Sequence, residues 1–374
     1  MIKHTTFKTL AALSCLTLAA PAAAAEQGGG SGFLGTLHKH HVLTSTEPAN
    51  GDQNPYAILV APVSAGSVQV GDVLVDNFNN QGNFQGTGST IVDYRPSTGK
   101  LTTFATIPHD LPGCPGGIGL STAMVMLKSG WVIVGSAPST DGTTKTLGKG
   151  CLVVLDSSGK VADTITGPDI ADPWGNMAWI DNGETAILFL SNAGFGIGVP
   201  GQPVQNTATV LRLNLSIPAG GKPQVASRTV IANGFGAQAD ASVFLVGPTG
   251  LALGKNGELY VSDAIGNRIV SIPNAATRTD SAGTGTVVMQ DGLLKRPLAL
   301  ATAPNGNLLT VNGLNGQAVE IDPVSGKQVG AQWIDKDEAQ TPPGSGDLFG
   351  LALAPDGKGF YYVEDDVNTI AEAR

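Results

Sequence analysis

Six polar residues recur at one position of an internal repeat, and their oxygen atoms could serve as ligands for a hard cation such as Ca²⁺. Each closes a β-rich stretch that follows a turn glycine, and they are Asn77, Ser136, Asn192, Asp263, Asn312 and Asp365. A position that repeats also suits turn capping, because short polar side chains accept hydrogen bonds from nearby backbone N–H groups. We therefore interpret the set as turn caps rather than as cation ligands.

The repeat that carries these residues predicts a β-propeller. In each copy an apolar stretch leads to a tight turn and then to a second apolar stretch; the turn glycines are Gly71, Gly130, Gly183, Gly257, Gly306 and Gly357. A strand-based repeat of about 50–60 residues is typical of one propeller blade. We predict an all-β, six-bladed propeller with four-stranded blades. The last copy ends early, so we expect the segment around Leu37 to Thr46 to supply the strand that closes the last blade.

The loops that lead into the inner strands differ between copies, and we expect them to form a ligand-binding site at the channel mouth. Their aromatic and polar side chains fit the usual form of a binding site, a concave surface with apolar walls and a few polar groups. The predicted site residues are Tyr56, Asp172, Trp174, Asn176, Asp240, Arg296, Asp347 and Phe349. The alternative is that Tyr56, Trp174 and Phe349 only plug the channel as core aromatics.

The N-terminal residues have the features of a secretory signal peptide. Lys3 and Lys8 precede an apolar run, and small residues follow, so we expect cleavage near Ala25 and a signal peptide over residues 1–25. A Gly-rich lead over 26–35 and one propeller domain over 36–374 would follow, in the periplasm or secreted. A net charge of −9 offers no basic surface for nucleic acid, and no later stretch is long enough to span a membrane.

Two cysteines remain after such processing, Cys114 and Cys151. In an exported protein a pair of thiols favours a disulfide. One precedes the inner strand of the second repeat and the other opens its third strand, so both would lie near the same face. The alternative is two buried free thiols.

One copy of the repeat resembles an NHL-type repeat. The segment GLALGKNGELYVSDAIGNRIVSI carries Asp263, Asn267 and Arg268 at the positions of the D…N-R-I signature. The wider group of six-bladed propellers includes gluconolactonase-type lactonases, streptogramin lyases and binding propellers. By resemblance to the lactonases, Asn176 falls on a metal-ligand position, whereas Thr249 replaces the expected Asp and Asn54 is nearest to the expected Glu.

The resemblance therefore implies a fold more clearly than an activity. Because two of the three lactonase ligands are missing, we expect a non-catalytic scaffold that binds a small molecule or a protein through the channel mouth, with no cofactor. The alternative is a metal-dependent lactonase or lyase-type enzyme with a shifted ligand set drawn from Asn176, Asp172 and Asp347, holding Ca²⁺ or Zn²⁺.

Overall fold

A computed structural model describes residues 32–374 of the chain, and this part is built almost entirely from β-strands. Twenty-five strands form six antiparallel sheets, and two short 3-10 turns, Leu34–Thr36 and Thr144–Thr146, are the helical elements of this part. The predicted signal peptide and most of the Gly-rich lead lie outside the described residues. Among the described residues, no helix is long and apolar enough to span a membrane.

The first three blades follow one another along the chain, each beginning with its inner strand. Blade 1 contains β2 (Gln53–Val60), β3 (Val73–Asn79), β4 (Thr90–Arg95) and β5 (Lys100–Thr106). Blade 2 contains β6 (Leu120–Met126), β7 (Val132–Ser136), β8 (Cys151–Leu155) and β9 (Val161–Ile165). Blade 3 contains β10 (Ala178–Asp181), β11 (Thr185–Asn192), β12 (Gln205–Ser216), β13 (Gln224–Asp240) and a fifth strand, β14 (Phe244–Val246).

The remaining blades complete the ring. Blade 4 contains β15 (Pro248–Leu253), β16 (Leu259–Asp263), β17 (Arg268–Ile272) and β18 (Thr286–Gln290). Blade 5 contains β19 (Pro297–Thr302), β20 (Leu308–Asn312), β21 (Gln317–Asp322) and β22 (Lys327–Trp333). Blade 6 contains β23 (Leu348–Leu353), β24 (Phe360–Glu364), β25 (Thr369–Ala373) and, as its outer strand, β1 (His40–Ser45).

The pairing of β1 with β25 confirms the predicted closure of the last blade by the N-terminal segment. The two strands run antiparallel, with His40 opposite Ala373 and Ser45 opposite Thr369. Just before β1, the main-chain N–H groups of His38 and Lys39 both donate to the carbonyl oxygen of Arg374. Closure buries edges that an open array of sheets would leave unpaired.

Hydroxyl side chains join neighbouring blades where the inner strands bulge. The Oγ of Ser191, in blade 3, accepts the N–H of Gly175 and donates to the carbonyl of Thr249 in blade 4 at 2.8 Å. Ser262 makes the same two contacts one blade further on, accepting from Gly250 and donating to the carbonyl of Leu298. In the ladder of β15 and β16 the pairing shifts between Pro248 and Leu251, and the Ser262 hydroxyl accepts the Gly250 N–H within that bulge.

The predicted disulfide between Cys114 and Cys151 is confirmed. It joins the loop before β6 to the first residue of β8, and both residues are buried against the apolar core shared by blades 1 and 2. The bridge therefore restrains the loop that carries the chain into blade 2.

We expect loss of this bridge to destabilise the propeller. A crosslink over a sequence separation of 37 residues restricts the unfolded chain, which corresponds to about 3–4 kcal/mol. The variant Cys114→Ala/Cys151→Ala should lose about this much free energy of unfolding in urea titrations. Reductant should lower the stability of the wild-type protein to a similar level and leave the variant unchanged. Equal stability of the two proteins without reductant would contradict this role.

Candidate functional site

Five buried aromatic side chains close the channel at the face formed by the loops that enter the inner strands and by the turns after the second strands, which we call the mouth. They are Tyr56, Phe78, Trp174, Phe244 and Phe349, and we call them the aromatic plug. Tyr56 stacks on Phe349 and on Phe78 with ring centroids 3.9 and 4.4 Å apart, and Trp174 meets Tyr56 edge-on. This geometry supports the alternative in which the aromatic residues at the mouth are core residues.

A strap, residues 240–246, crosses the mouth from blade 3 and covers the plug. Its Phe244 contacts Phe78 of blade 1 at a centroid distance of 5.3 Å and adopts a φ of +66°, an unfavourable value for a bulky residue. Asp240 at one end forms an ion pair with Arg296 of the loop entering blade 5, at 3.0 Å. The structure thus brings the predicted residues Asp240 and Arg296 together, and their ion pair holds one end of the strap against the loop that enters blade 5.

Asn176, the weak metal candidate, lies deeper in the channel than the aromatic plug. Its Nδ2 donates to the carbonyls of Leu251 and Leu300, each at 3.0 Å, and its Oδ1 accepts the N–H of Leu300 at 2.9 Å. Thr249 lies closer to the mouth, and its hydroxyl donates a hydrogen bond to the carbonyl of Gly247. The amide of Asn176 thus satisfies inner-strand backbone groups of two other blades.

The metal set implied by the lactonase resemblance does not fit these residues. Asn176 has its polar atoms engaged in bonds to Leu251 and Leu300, Thr249 offers a neutral hydroxyl in place of the expected carboxylate, and the Asn54 amide donates to Asp365. The aromatic plug separates Asn176 from the mouth. We therefore derive no chemistry from a metal at those positions.

Asp172 also stands apart from the other predicted site residues. Its side chain is fully buried beside Pro173, and both carboxylate oxygens lack a hydrogen-bond partner within residues 32–374. Burial holds the pKa of this carboxyl well above its usual range. The loop around it is fixed by Asn192, whose amide donates to the carbonyl of Asp169 and accepts from Ala171.

Asp347 lies in a cluster of carboxylates at the rim of the mouth, which we call the acidic recess. Oxygen atoms of Asp337, Asp347 and Asp366 lie within 4.8 Å of one another. Gln340 donates to Asp347 and to Asp366, at 3.3 Å in both cases. Asp337, Gln340 and Asp347 come from the loop between β22 and β23, and Asp366 comes from the turn after β24.

The three carboxylates of the acidic recess become more deeply buried from the solvent side inward. Asp366 is exposed, Asp337 is half-buried, and Asp347 is 3% exposed. Asp347 Oδ2 and Gln340 Oε1 are buried and have no hydrogen-bond partner in the part of the chain that the structure describes. Unpaired buried oxygens are unfavourable, so each indicates a missing donor, proton or cation.

The electrostatics of the acidic recess are dominated by burial of like charges. Burial, and then the nearby carboxylates of Asp366, Asp365 and Asp335, raises the pKa of Asp347 to about 8. Burial likewise raises the pKa of Asp365 to about 8. Among residues 32–374, no ion pair links these carboxylates to a basic side chain. Asp347 and Asp365 are therefore largely protonated near neutral pH, because no positive charge stabilises their ionised forms.

The repeated polar residues act as structural links, in line with their interpretation as caps. Asn312 accepts the N–H of Lys295 and donates to the carbonyl of Leu293, so it holds the loop that enters its own blade. Asp263 binds Gly266 N–H and forms an ion pair with Arg268. In blade 6 the residue in this register is Glu364, opposite Leu348, rather than Asp365. The predicted position was therefore one residue too late there.

A further buried carboxylate, Asp76, occupies in blade 1 the position that serine holds in blades 3 and 4. Its Oδ1 accepts the N–H of Ala57 at 2.7 Å, while its Oδ2 is buried and has no partner among the described residues. Burial raises the pKa of Asp76 to about 8. A carboxylate in this position cannot donate to the next blade unless it is protonated, whereas a serine can.

We expect Asp76 to make the stability of the fold decrease as pH rises. Its folded pKa of about 8 exceeds the unfolded value, so the folded state binds more protons between about pH 4 and pH 8. Asp76→Asn should flatten this decrease and should raise the free energy of unfolding more at pH 8.5 than at pH 5.5, measured by urea titration. Asp280→Asn, an exposed change of the same charge, is the control, and equal pH profiles for all three proteins would contradict the assignment.

The ring of six antiparallel sheets defines the chain as a six-bladed β-propeller. No protein-family model and no curated protein sequence matches it. Its fold is that of gluconolactonase-like propellers. A gluconolactonase from Xanthomonas campestris aligns with 90% of this chain and 88% of its own, at 10% identity and a TM-score of 0.53.

Two further solved structures share the fold over nearly the whole chain. A luciferin-regenerating enzyme aligns with 90% of this chain and 94% of its own, at 11% identity and a TM-score of 0.56. The calcium-binding protein regucalcin from Agrobacterium tumefaciens aligns with 90% of this chain and 93% of its own, at 11% identity and a TM-score of 0.52. Identities this low show a common fold.

These neighbours correct the expectation of a non-catalytic scaffold, which was wrong. The gluconolactonase and the luciferin-regenerating enzyme share this fold and are enzymes. The alternative ligand set of Asn176, Asp172 and Asp347 contained one member of the acidic recess, Asp347. The other two members, Asp337 and Asp366, were missed because they lie in separate loops. Their signal in the sequence is the density of acidic residues in DKDE and EDD.

Proposed function

We propose that the protein is a metal-dependent enzyme of the lactonase type that holds its cation in the acidic recess at the mouth. This proposal rests on the buried Oδ2 of Asp347, which has no hydrogen-bond partner among the described residues and lies beside the carboxylates of Asp337 and Asp366. A divalent cation would displace the proton from Asp347 and give its unpaired oxygen a partner, because a nearby positive charge favours the ionised carboxylate.

The ligand types favour Ca²⁺. Carboxylate and amide oxygens, with water in the remaining positions, suit a hard cation that accepts six to eight oxygen ligands. The recess has neither the sulfur nor the imidazole ligands that zinc sites commonly use. Asp347, Asp337 and Asp366 would provide the charge, and Gln340 would provide an amide oxygen. That requires a rotation of the side-chain amide, so that Oε1 rather than Nε2 faces the carboxylates.

The arrangement of the recess suits an ester substrate that arrives from solvent. A bound cation polarises a carbonyl and lowers the pKa of a bound water, which is the chemistry that opening a cyclic ester needs. Asp347 would bind the cation on its buried side, because Asp347 is buried and directly precedes β23. Asp366, on the exposed side, is placed to accept a proton from the attacking water.

The surroundings of this enzyme are part of the same proposal. The disulfide fits an oxidising compartment, so we propose export to the periplasm or the medium after cleavage near Ala25. The propeller over residues 36–374 would then be the whole functional domain, of NHL-like type. Its partner at the mouth would be a small-molecule substrate.

The test begins with Ca²⁺ alone. Full-length protein treated with EDTA should gain several degrees in Tm when Ca²⁺ is added in excess of its Kd, because a ligand that binds only the folded state stabilises it. Asp347→Asn should abolish this shift without lowering the Tm of the metal-free protein near pH 7, since the amide replaces a carboxyl group that is largely protonated there. Asp280→Asn, whose side chain is 82% exposed, should keep the shift.

Activity is tested separately with a panel of lactones, by following acid release. The wild-type protein with Ca²⁺ should hydrolyse at least one of them, and Asp347→Asn should lose at least 100-fold in kcat/KM. An absent Tm shift with Ca²⁺, Mg²⁺ and Zn²⁺ would reject the metal site. A Tm shift without turnover of any cyclic ester would reject the lactonase assignment while keeping the site.

A further inference from the structure

The opposite end of the channel contains a second cavity, which we call the apolar funnel. It has a volume of about 320 Å³ and is lined by the ends of the inner strands of the six blades. Burial decreases along it: Leu251, Leu300 and Leu351 in its depth are at most 4% exposed, whereas Trp179 at the rim is 37% exposed. The funnel therefore opens to solvent on the face away from the mouth.

The walls of the apolar funnel have no charged side chain. Asn176, Thr302 and the indole N–H of Trp179 are the polar side-chain groups in the lining of this cavity. Asn176 is saturated by its bonds to Leu251 and Leu300, and the Thr302 hydroxyl donates to the carbonyl of Leu253 at 2.9 Å. A charged ligand would lose its hydration here without gaining a partner, which is strongly unfavourable. The lining thus selects against ions.

The floor of the funnel separates it from the acidic recess. Asn176 connects the inner strands across the axis, and the aromatic plug lies beyond it, with Tyr56 and Trp174 each 1% exposed. A molecule in the funnel would touch neither the recess nor the strap. The cavity is also within the size range of small-molecule sites, about 300–1,000 Å³, at its lower end.

We propose that the apolar funnel is a binding site for one small, uncharged, mainly apolar molecule. This ligand class follows from the closed ring of walls, the absence of charge in the lining and the saturated state of Asn176 and Thr302. The proposal does not depend on the proposed catalytic function.

The experiment uses two probes that share one ring system, neutral N-phenyl-1-naphthylamine and its anionic sulfonate, 1-anilinonaphthalene-8-sulfonate. Titrated into the full-length protein, the neutral probe should show saturable fluorescence with one site. The sulfonate should bind at least tenfold more weakly. Sulfonate binding that equals or exceeds that of the neutral probe, or no saturable binding of the neutral probe, would overturn the proposal.

Substitutions in the funnel wall test whether the neutral probe binds there. Leu353→Glu places a carboxylate in the funnel wall and should weaken neutral-probe binding at least tenfold, whereas Val324→Glu, at a position 92% exposed outside the funnel, should not. Trp179→Phe should reduce the energy transfer from tryptophan to the probe by at least half with less than a threefold change in Kd. Equal Kd values for the two Glu variants, or unchanged transfer in Trp179→Phe, would show that the probe binds elsewhere.

Discussion

Six inner strands meet around one axis, and the edge that each turns toward the axis has no neighbouring strand to pair with. The backbone groups along these edges need other partners, because an unpaired buried N–H or C=O is unfavourable. Ser191 and Ser262 fill this need near the mouth, and Asn176 fills it one layer deeper. The polar residues nearest the axis are therefore committed to backbone groups before any are available for chemistry.

This constraint moves the chemically available groups away from the axis. Where a carboxyl group replaces the serine, as at Asp76, it is buried with one oxygen unpaired. The carboxylates that remain open to solvent, Asp337 and Asp366, lie on loops at the rim, and Asp347 joins them from the start of β23. Loops can carry such groups because they do not have to satisfy the packing of the repeat.

The repeat predicts most of the fold, because its signals are local. Turn glycines such as Gly130 and Gly257 have positive φ in the structure, and Cys114 and Cys151 meet because both lie on one side of blade 2. The bulge of the inner strands has no such local signal. The sequence therefore placed Asn176 among the ligands, although Asn176 bonds to inner-strand backbone deeper in the channel than Thr249. The acidic recess depends on two loops 19 residues apart at Asp347 and Asp366. Only the folded chain brings these loops together.

The layer formed by Asn176 and the aromatic plug divides the axis into two compartments, so the ring is not a pore. The acidic recess and the apolar funnel have no lining residue in common. Such sites are energetically additive, since coupling usually fades when residues share no contacts. The mouth and the opposite face are thus free to diverge separately in sequence, each adapting to its own ligand on a common scaffold.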